Sequence, residues 1–294
     1  MTRAIVFAYH TVGVRCLEVL LKQGIEVALV VTHNDNPKEN IWFERVSDFA
    51  QLHGIPFITP ENPNHRKVRR LIEILKPDFF FSFYYRQMLK APLLAIPKKG
   101  AYNLHGSLLP KYRGRVPINW AVIHGETQTG ATLHAMTIKP DQGDIVAQVK
   151  VPIGPNDTAG EVFQRVTLAG TKALKQALPA LVAGRAPHLK QNLRAGSYFG
   201  GRRPKDGRID WSFGAQAIHN LVRGVAPPYP GATTTIKREP VRILRSSLTP
   251  TNDAVAQARC GDGKTLYILA MEVRGQPLDA VTFQHRYPKG VKPR

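Results

Sequence analysis

Two short segments of this 294-residue chain carry groups that could do chemistry together. The first is Asn103-Leu104-His105-Gly106-Ser107-Leu108-Leu109-Pro110-Lys111-Tyr112-Arg113-Gly114, and the second is Lys139-Pro140-Asp141-Gln142-Gly143. Between them they supply a carboxamide donor, an imidazole and a carboxylate. Moving a one-carbon acyl group onto an amine needs that set. The amine must be held unprotonated beside the carbonyl carbon, and the oxygen that becomes negative must meet a donor already in place. A proton must pass from the attacking nitrogen to the leaving one, and water must be kept out. Asn103 closes an expected strand, and its amide is a neutral donor. His105 lies two residues on, so in extended backbone the two side chains share a face. Imidazole titrates near neutrality, and a nearby carboxylate favours its charged form. Asp141 is the candidate for that carboxylate. Spacing alone leaves an alternative open, because an Asn-x-His pair also serves as a cap or an internally satisfied polar pair.

These residues need a frame. Residues 3–9 are an apolar β-type run, followed by a helical pattern at 12–23 with apolar Val12, Cys16, Leu17, Leu20 and Leu21. Strands are expected at 26–32, 54–58, 78–84 and 101–104, and helices at 42–52 and 68–75, with Asp35-Asn36-Pro37 as a loop. This alternation predicts an α/β fold, a Rossmann-like, doubly wound, mostly parallel sheet. Right-handed crossovers then gather the loops at the strand C-terminal ends, where sites form. Strands at 129–139 and 145–153 flank the Asp141-Gln142-Gly143 turn. A long helix is expected at 158–183, with Thr158 and Glu161 as its capping box, Gly184 as its end and a kink at Pro179. Residues 191–208 are Gly- and Arg-rich and read as a linker. Beyond them come a helix at 215–225, a rigid Pro227-Pro228-Tyr229-Pro230-Gly231 turn, and short β runs with a hairpin signal at Gly261-Asp262-Gly263. That pattern predicts a smaller β-barrel-like (OB-like) module. The expected division is a catalytic domain at 1–190, a linker at 191–208 and a β-rich domain at 209–294. The tail from residue 288 is basic and is expected to fray.

Composition narrows the function classes. Hydrophobic residues make up 43% of the chain, enough for a sizeable core. No apolar run reaches the roughly 18 residues of a membrane span, and no charged-then-apolar leader opens the chain. A soluble, cytoplasmic protein without membrane insertion is expected. Cys16 and Cys260 are the only cysteines, far apart, which argues against a disulfide framework and a thiolate zinc site, and no metal is expected. The first strand is followed by Ala8-Tyr9-His10-Thr11-Val12-Gly13 rather than G-x-G-x-x-G, and there is no Walker A pattern, so a standard dinucleotide or ATP site is not expected. Lys plus Arg is 41 against 21 Asp plus Glu, a formal charge of +20. Such a field concentrates polyanions: nucleotides, polyglutamylated cofactors, nucleic acid or anionic membranes. A basic solvated surface accounts for it equally well. The small clusters Arg66-Lys67-Val68-Arg69-Arg70 and Arg202-Arg203-Pro204-Lys205 lie in a scatter that points to no nucleic-acid groove.

The run from Asn103 to Pro110, then Tyr112-Arg113-Gly114 and Asp141-x-Gly143, resembles the signature of the N10-formyltetrahydrofolate-dependent formyltransferases. That family includes methionyl-tRNA formyltransferase, the glycinamide ribonucleotide transformylases and the nucleotide-sugar N-formyltransferases. The resemblance implies an oxyanion-stabilising Asn103, a general acid/base His105 and an Asp141 that tunes the imidazole. It implies N10-formyltetrahydrofolate as co-substrate, with the pterin at Gln87, Met88 and Leu89. Arg115 and the loop Thr137, Ile138, Lys139, Pro140 and Asp141 would complete that site. Taken as residues alone, Gln87 to Leu89 are an ordinary strand-to-helix connection, Arg115 a surface charge and Tyr112 a packed aromatic.

Further stretches look most like the UDP-4-amino-4-deoxy-L-arabinose formyltransferases within that family. They are Phe7-Ala8-Tyr9-His10, Thr32-His33-x-Asp35-Asn36-Pro37, Phe81-Ser82-Phe83-Tyr84-Tyr85-Arg86, Ser107 to Arg115 with Asn119-Trp120, and Gly125-Glu126-Thr127. Ile145-Val146-Ala147-Gln148, Phe199-Gly200 with Arg202-Arg203-Pro204, and His219-Asn220-x-Val222-Arg223 extend the match. The likeness implies a UDP-aminosugar acceptor whose product feeds lipid A modification and polymyxin resistance. The better-known form of that enzyme carries an NAD-dependent decarboxylase half. These residues supply none, so decarboxylation is expected on another chain. Arg202, Arg203 and Arg223 are candidates for the acceptor's phosphates. Methionyl-tRNA formyltransferase is the alternative, since the charge suits tRNA. Against it, the basic insertion usual after the second strand is replaced by Asn34-Asp35-Asn36-Pro37-Lys38-Glu39-Asn40, and Tyr84-Tyr85-Arg86 stands where Ala-Tyr-Gly is usual. A non-catalytic folate- or anion-binding module is the third possibility.

Overall fold

The computed structural model describes residues 1–288, so the basic tail beyond Pro288 lies outside the described residues. In chain order the elements are β1 (Arg3–Ala8), α1 (His10–Lys22), β2 (Glu26–Val31), α2 (Val46–Leu52), β3 (Phe57–Ile58), α3 (Arg66–Ile74), β4 (Phe79–Phe83), α4 (Ala91–Leu94), β5 (Ala101–His105), β6 (Arg113–Gly114), α5 (Pro117–Ile123), β7 (Gln128–Ala135), β8 (Ile145–Pro152), α6 (Ala159–Val182), β9 (Tyr198–Phe199), α7 (Ala215–Val225), β10 (Ala232–Ile236), β11 (Glu239–Ser247), β12 (Ala256–Arg259), β13 (Thr265–Val273), β14 (Gln276–Leu278) and α8 (Ala280–Arg286). Two compact units emerge. One comprises Met1–Gly114, Thr129–Val151 and Arg165–Phe199, and the other comprises Arg115–Gln128, Pro152–Gln164 and the chain from Gly200 onward.

The first unit is built on a seven-stranded sheet ordered β3-β2-β1-β4-β5-β7-β8. Strands β1 to β5 pair in parallel, and β7 joins β5 antiparallel. The sheet is therefore doubly wound with an antiparallel addition at one side. Strand β4 explains why the centre is so apolar: Phe79, Phe80, Phe81 and Phe83 are all fully buried. Alternation puts Phe79, Phe81 and Phe83 on one face, stacked at 5.6 and 5.9 Å. It turns Phe80 to the other face, edge-on to Phe7 at 5.2 Å. Each such burial contributes about 1.5–3 kcal/mol relative to an exposed ring. The winding direction reverses between β1 and β4, which makes that edge the topological switch point of the sheet.

Several elements depart from the sequence expectation, and the strand foreseen at 54–58 is reduced to Phe57–Ile58. The helix foreseen at 42–52 begins at Val46, because the rings of Trp42 and Phe43 pack on His10. The strand foreseen to 139 stops at Ala135, where the chain turns so tightly that a Cβ on Gly143 would sit 1.9 Å from the Ala135 carbonyl oxygen. The segment read as a linker is ordered in part, since β9 pairs in parallel with β6.

In the second unit a five-stranded antiparallel sheet, β10-β11-β13-β12 with β14 on β13, forms a half-barrel. Helix α7 supplies Ile218, Val222 and Val225 from one face to a core shared with Val241, Ile243, Leu266 and Ile268. The capping box at the start of α6 is present: Glu161 N–H donates to Thr158 Oγ1 at 3.3 Å and Thr158 N–H to Glu161 Oε2 at 2.7 Å.

Candidate active site

Strand β5 carries Asn103 and His105 on one face, and antiparallel β7 sets His134 opposite Asn103 and Thr132 opposite His105. The Asn103 amide Nδ2 lies 3.1 Å from His134 Nε2. His134 Nδ1 is 2.8 Å from the Ala135 carbonyl, which can only accept, so that nitrogen carries a hydrogen. In the neutral ring Nε2 is then the acceptor for one Asn103 hydrogen. The second Asn103 hydrogen has no partner among the described residues.

His105 is buried at 6% exposure. Its Nε2 donates to the Tyr112 carbonyl at 2.7 Å, which leaves Nδ1 as the ring nitrogen not committed to a carbonyl. That Nδ1 faces Asp141 Oδ1 at 3.5 Å. The same oxygen is 3.4 Å from His134 Nε2, and Oδ2 accepts from the Gly114 N–H at 2.8 Å. Burial pushes the Asp141 carboxyl upward. The charge of His105, the adjacent His134 ring and the Gly114 N–H together outweigh it and hold the group well below the usual carboxylate range. Asp141 stays ionised between two imidazoles.

The turn that presents Asp141 is fixed by its backbone. Asp141 sits at φ 55°, a left-handed conformation that aspartate tolerates better than most residues. Gln191 Nε2 bonds the carbonyls of Asp141 at 3.0 Å and Gly143 at 2.6 Å. Loop 106–114 is pinned as firmly. Thr132 Oγ1 donates to Ser107 O at 2.6 Å, and Gln148 Nε2 donates to Leu109 O at 2.8 Å. Tyr112 N–H donates to Ser197 Oγ at 2.9 Å, and its ring stacks on Phe199 at 5.3 Å. Gly114, at φ 97°, lets β6 meet β9, because a Cβ there would stand 2.1 Å from Phe199 O. Residues 191–199 thus fix both partners of the His–Asp pair: the Tyr112 carbonyl and the Gly114 amide.

The other sequence candidates fall in distinct places. Gln87, Met88 and Leu89 follow the C-terminal end of β4, the strand beside β5. Gln87 Nε2 donates to Glu61 O at 2.8 Å and Met88 is half exposed, whereas Leu89 is buried in the apolar cluster with Ile5, Phe7 and Phe80. That segment therefore offers backbone groups and the Met88 side chain to a ligand. Thr137, Ile138 and Lys139 are exposed in the loop before Asp141, with half-buried Pro140 between, and Arg115 is exposed directly after β6. Arg223 is buried, whereas Arg203 is exposed and Arg202 partly so.

A second cluster stands at the C-terminal ends of β1, β2 and β4. Arg86 pairs both Glu39 oxygens at 2.8 Å and lies 4.6 Å over the Tyr9 ring. His33 accepts from Arg86 N–H at 3.1 Å and stacks on Tyr85 at 4.2 Å. Burial, with Arg86 close by, lowers His33 to about 4 and His10 to about 3, so both rings are neutral. His134, Gln191 and Ser197 were not singled out by sequence reasoning. His134 left a signal: Thr132 and His134 alternate with apolar Ala131, Leu133 and Ala135 at the end of the strand.

The chain belongs to the formyl transferase family: the model of the formyl transferase domain matches residues 3–178, and that of the formyl transferase C-terminal domain matches residues 202–274. Solved structures of the same fold include an N-formyltransferase from Helicobacter canadensis in complex with folinic acid and dTDP-3-aminofucose, 22% identical with TM-score 0.70, covering 91% of this chain and 99% of that one. WlaRD, a sugar 3N-formyl transferase in the presence of dTDP and 5-N-formyl-THF, is 21% identical with TM-score 0.71 over 94% of this chain and 99% of its own. A sugar N-formyltransferase from Shewanella is 20% identical with TM-score 0.62, over 91% and 96%.

Proposed function

We propose that this formyltransferase moves a formyl group from N10-formyltetrahydrofolate to the amine of a nucleotide-linked aminosugar, with UDP-4-amino-4-deoxy-L-arabinose as the acceptor. The observation that carries the chemistry is the ionised Asp141 carboxylate facing His105 Nδ1 at 3.5 Å, on the strand that also presents Asn103. The free Asn103 amide hydrogen supplies the donor for the oxyanion that forms when the amine adds to the formyl carbon. Because Tyr112 fixes Nε2–H, the proton lost by the amine passes to His105 Nδ1 and leaves from it to N10 of the folate. The imidazole ends the cycle as it began. Asp141 stabilises the imidazolium between those events, and His134 holds the Asn103 amide in place.

The acceptor reading is supported by the sequence stretches that resemble the aminoarabinose enzymes and by relatives of the same fold crystallised with a dTDP-linked aminosugar or dTDP. In this reading the pterin meets backbone groups of Gln87 to Leu89 and the loop from Thr137 to Asp141, with Arg115 beside it. The product would enter lipid A modification, the decarboxylase would be a separate chain, and the reaction would run in the cytoplasm. The test is incubation with N10-formyltetrahydrofolate and UDP-4-amino-4-deoxy-L-arabinose, followed by mass spectrometry for a product heavier by one formyl group. Absence of turnover on any nucleotide aminosugar, with formylation of initiator methionyl-tRNA instead, would replace the acceptor and keep the chemistry. No transfer to either acceptor would remove both.

A further inference from the structure

The second unit contains a cavity of about 110 Å³ whose lining includes none of Asn103, His105, His134 and Asp141. Its walls come from Asn156 and Thr158, from His219, Val222 and Arg223 on α7, and from Leu244, Arg245, Ser246 and Ser247 on β11, with Leu269 of β13. Four consecutive residues of one strand cannot all face one side in regular pleating. They do here because the β11–β13 register slips on both sides of Arg245. Such bulges re-aim side chains, and this one leaves exposed Arg245 at the cavity's rim beside buried Ser246.

The cavity's charge is unbalanced. Arg223 is 5% exposed. Its Nε donates to Asn220 Oδ1 at 2.9 Å, and its Nη1 donates to the carbonyls of Asp157 at 3.1 Å and Gly154 at 3.3 Å. Its Nη2 has no hydrogen-bond partner among the described residues. Arg245 makes no ion pair or hydrogen bond among them either. His219 adds no charge: Nε2 donates to Pro155 O at 3.1 Å, Nδ1 accepts from Ser246 Oγ at 2.9 Å, and burial lowers its tendency to protonate. Asp157, the carboxylate nearest Arg223, is not part of the lining. One buried and one exposed arginine thus border one small space that has no carboxylate in its lining.

We propose that this cavity binds a phosphate group, clamped between Arg223 Nη2 and the Arg245 guanidinium. Guanidinium geometry suits a tetrahedral oxyanion, and an anion between two cations removes their mutual repulsion. Size sets the class. Pockets for whole small molecules run from about 300 Å³ upward, so this one takes the phosphate and leaves anything attached to it outside. Arg223 is read from sequence as a candidate for the acceptor's phosphates, and the site holds whichever acceptor the enzyme uses.

The experiment is calorimetric titration of the full chain with inorganic phosphate, in a non-phosphate buffer at fixed chloride. The expected result is saturable binding at one site. Arg245→Gln should weaken it about tenfold, the size of one charge-assisted hydrogen bond, and Ser247→Phe, which fills the cavity from its rim, should abolish it. Both positions are at the wall rather than in the core, so folding is checked by melting temperature. Parallel arms with glucose 1-phosphate and UDP distinguish free phosphate from a phosphate carried on a larger molecule. No saturable heat with any of the three, or equal affinity in wild type and both variants, would overturn the proposal.

Discussion

His105 and His219 are nearly the same residue twice. Both are buried, at 6% and 2% exposure, and both donate Nε2–H to a backbone carbonyl, Tyr112 at 2.7 Å and Pro155 at 3.1 Å. They differ at the other nitrogen. His219 Nδ1 takes the hydroxyl hydrogen of Ser246 and is finished as a hydrogen-bonding group. His105 Nδ1 faces a carboxylate that can hold a proton on the ring but does not accept one itself at working pH. Burial alone therefore does not make an imidazole reactive. In the proposed mechanism a charged partner at the second nitrogen does, together with an uncommitted amide donor on the same strand face.

The sharpest break of this comparison is His105→Ala. It should lower kcat by about a thousandfold or more while the melting temperature stays near wild type; a variant that still transfers formyl would make His105 another His219. Asp141→Asn comes next, with a loss on the order of a thousandfold, within the range that general acid–base catalysis contributes. It should also move the pH optimum, and an unchanged profile would uncouple Asp141 from His105. Stability gives an independent readout. The folded-state pKa of Asp141 is depressed, so its contribution is complete above the ordinary carboxylate value of roughly 4 and is lost as pH falls from there through the folded value. The gap in melting temperature between wild type and Asp141→Asn should thus be steady at neutral pH and narrow below about pH 4.

How much of this was legible in sequence follows from the range of each interaction. Apolar runs and capping residues act locally, so β1, β2, β4, β5, the Thr158–Glu161 box and helix α7 could be read from the chain. The Asn103–His105 pair was legible for the same reason, since period two is a local rule. Asp141 could be named as the candidate carboxylate, but its approach to His105 could not be read, because nothing between residues 105 and 141 announces that β7 will run antiparallel beside β5. That pairing also hid His134, which becomes Asn103's partner only through the register. The stretch at 191–208 misled for the opposite reason. Its Gly, Arg and polar composition reads as a connection, yet Gln191, Ser197 and Phe199 act over long sequence distances to hold the Asp141 turn and the Tyr112 loop.

Asn103→Ala should cost roughly 100-fold in kcat, as loss of a single oxyanion donor does. It tests whether strand β5 contributes a second group or only His105. A drop in affinity for the co-substrate with kcat intact would make Asn103 a binding residue and simplify the contrast with His219. On the other side, His219→Ala should show its effect as stability. It deletes two hydrogen bonds and leaves a buried gap, which predicts a fall in melting temperature of roughly 5 °C. A melting curve unchanged from wild type would mean that those bonds are replaced by water and that His219 is not the structural counterpart assumed here.

The smallest effect separates two carboxylates that are both held in their charged form. Asp141 is buried between imidazoles, whereas Glu239 lies at the surface of the second unit. There it accepts from Arg286 Nη2 at 2.7 Å and Tyr287 Oη at 2.8 Å, with Arg274 at 3.3 Å. The Arg286 and Tyr287 hydrogen bonds, helped by the charges of Arg286 and Arg274, bring Glu239 down to about 2. Its depressed pKa has the same sign of linkage as that of Asp141, yet solvent and salt screen exposed pairs. Glu239→Gln should therefore lower the melting temperature by only about one or two degrees, with faster amide exchange in α8, which carries Arg286. Raising the salt to about 1 M, where the screening length is near 3 Å, should erase that difference but leave the Asp141→Asn difference in place. If salt erased both, the Asp141 carboxylate would be as open to solvent as Glu239, and the low-dielectric pairing on which the proposed proton exchange at His105 Nδ1 depends would be lost.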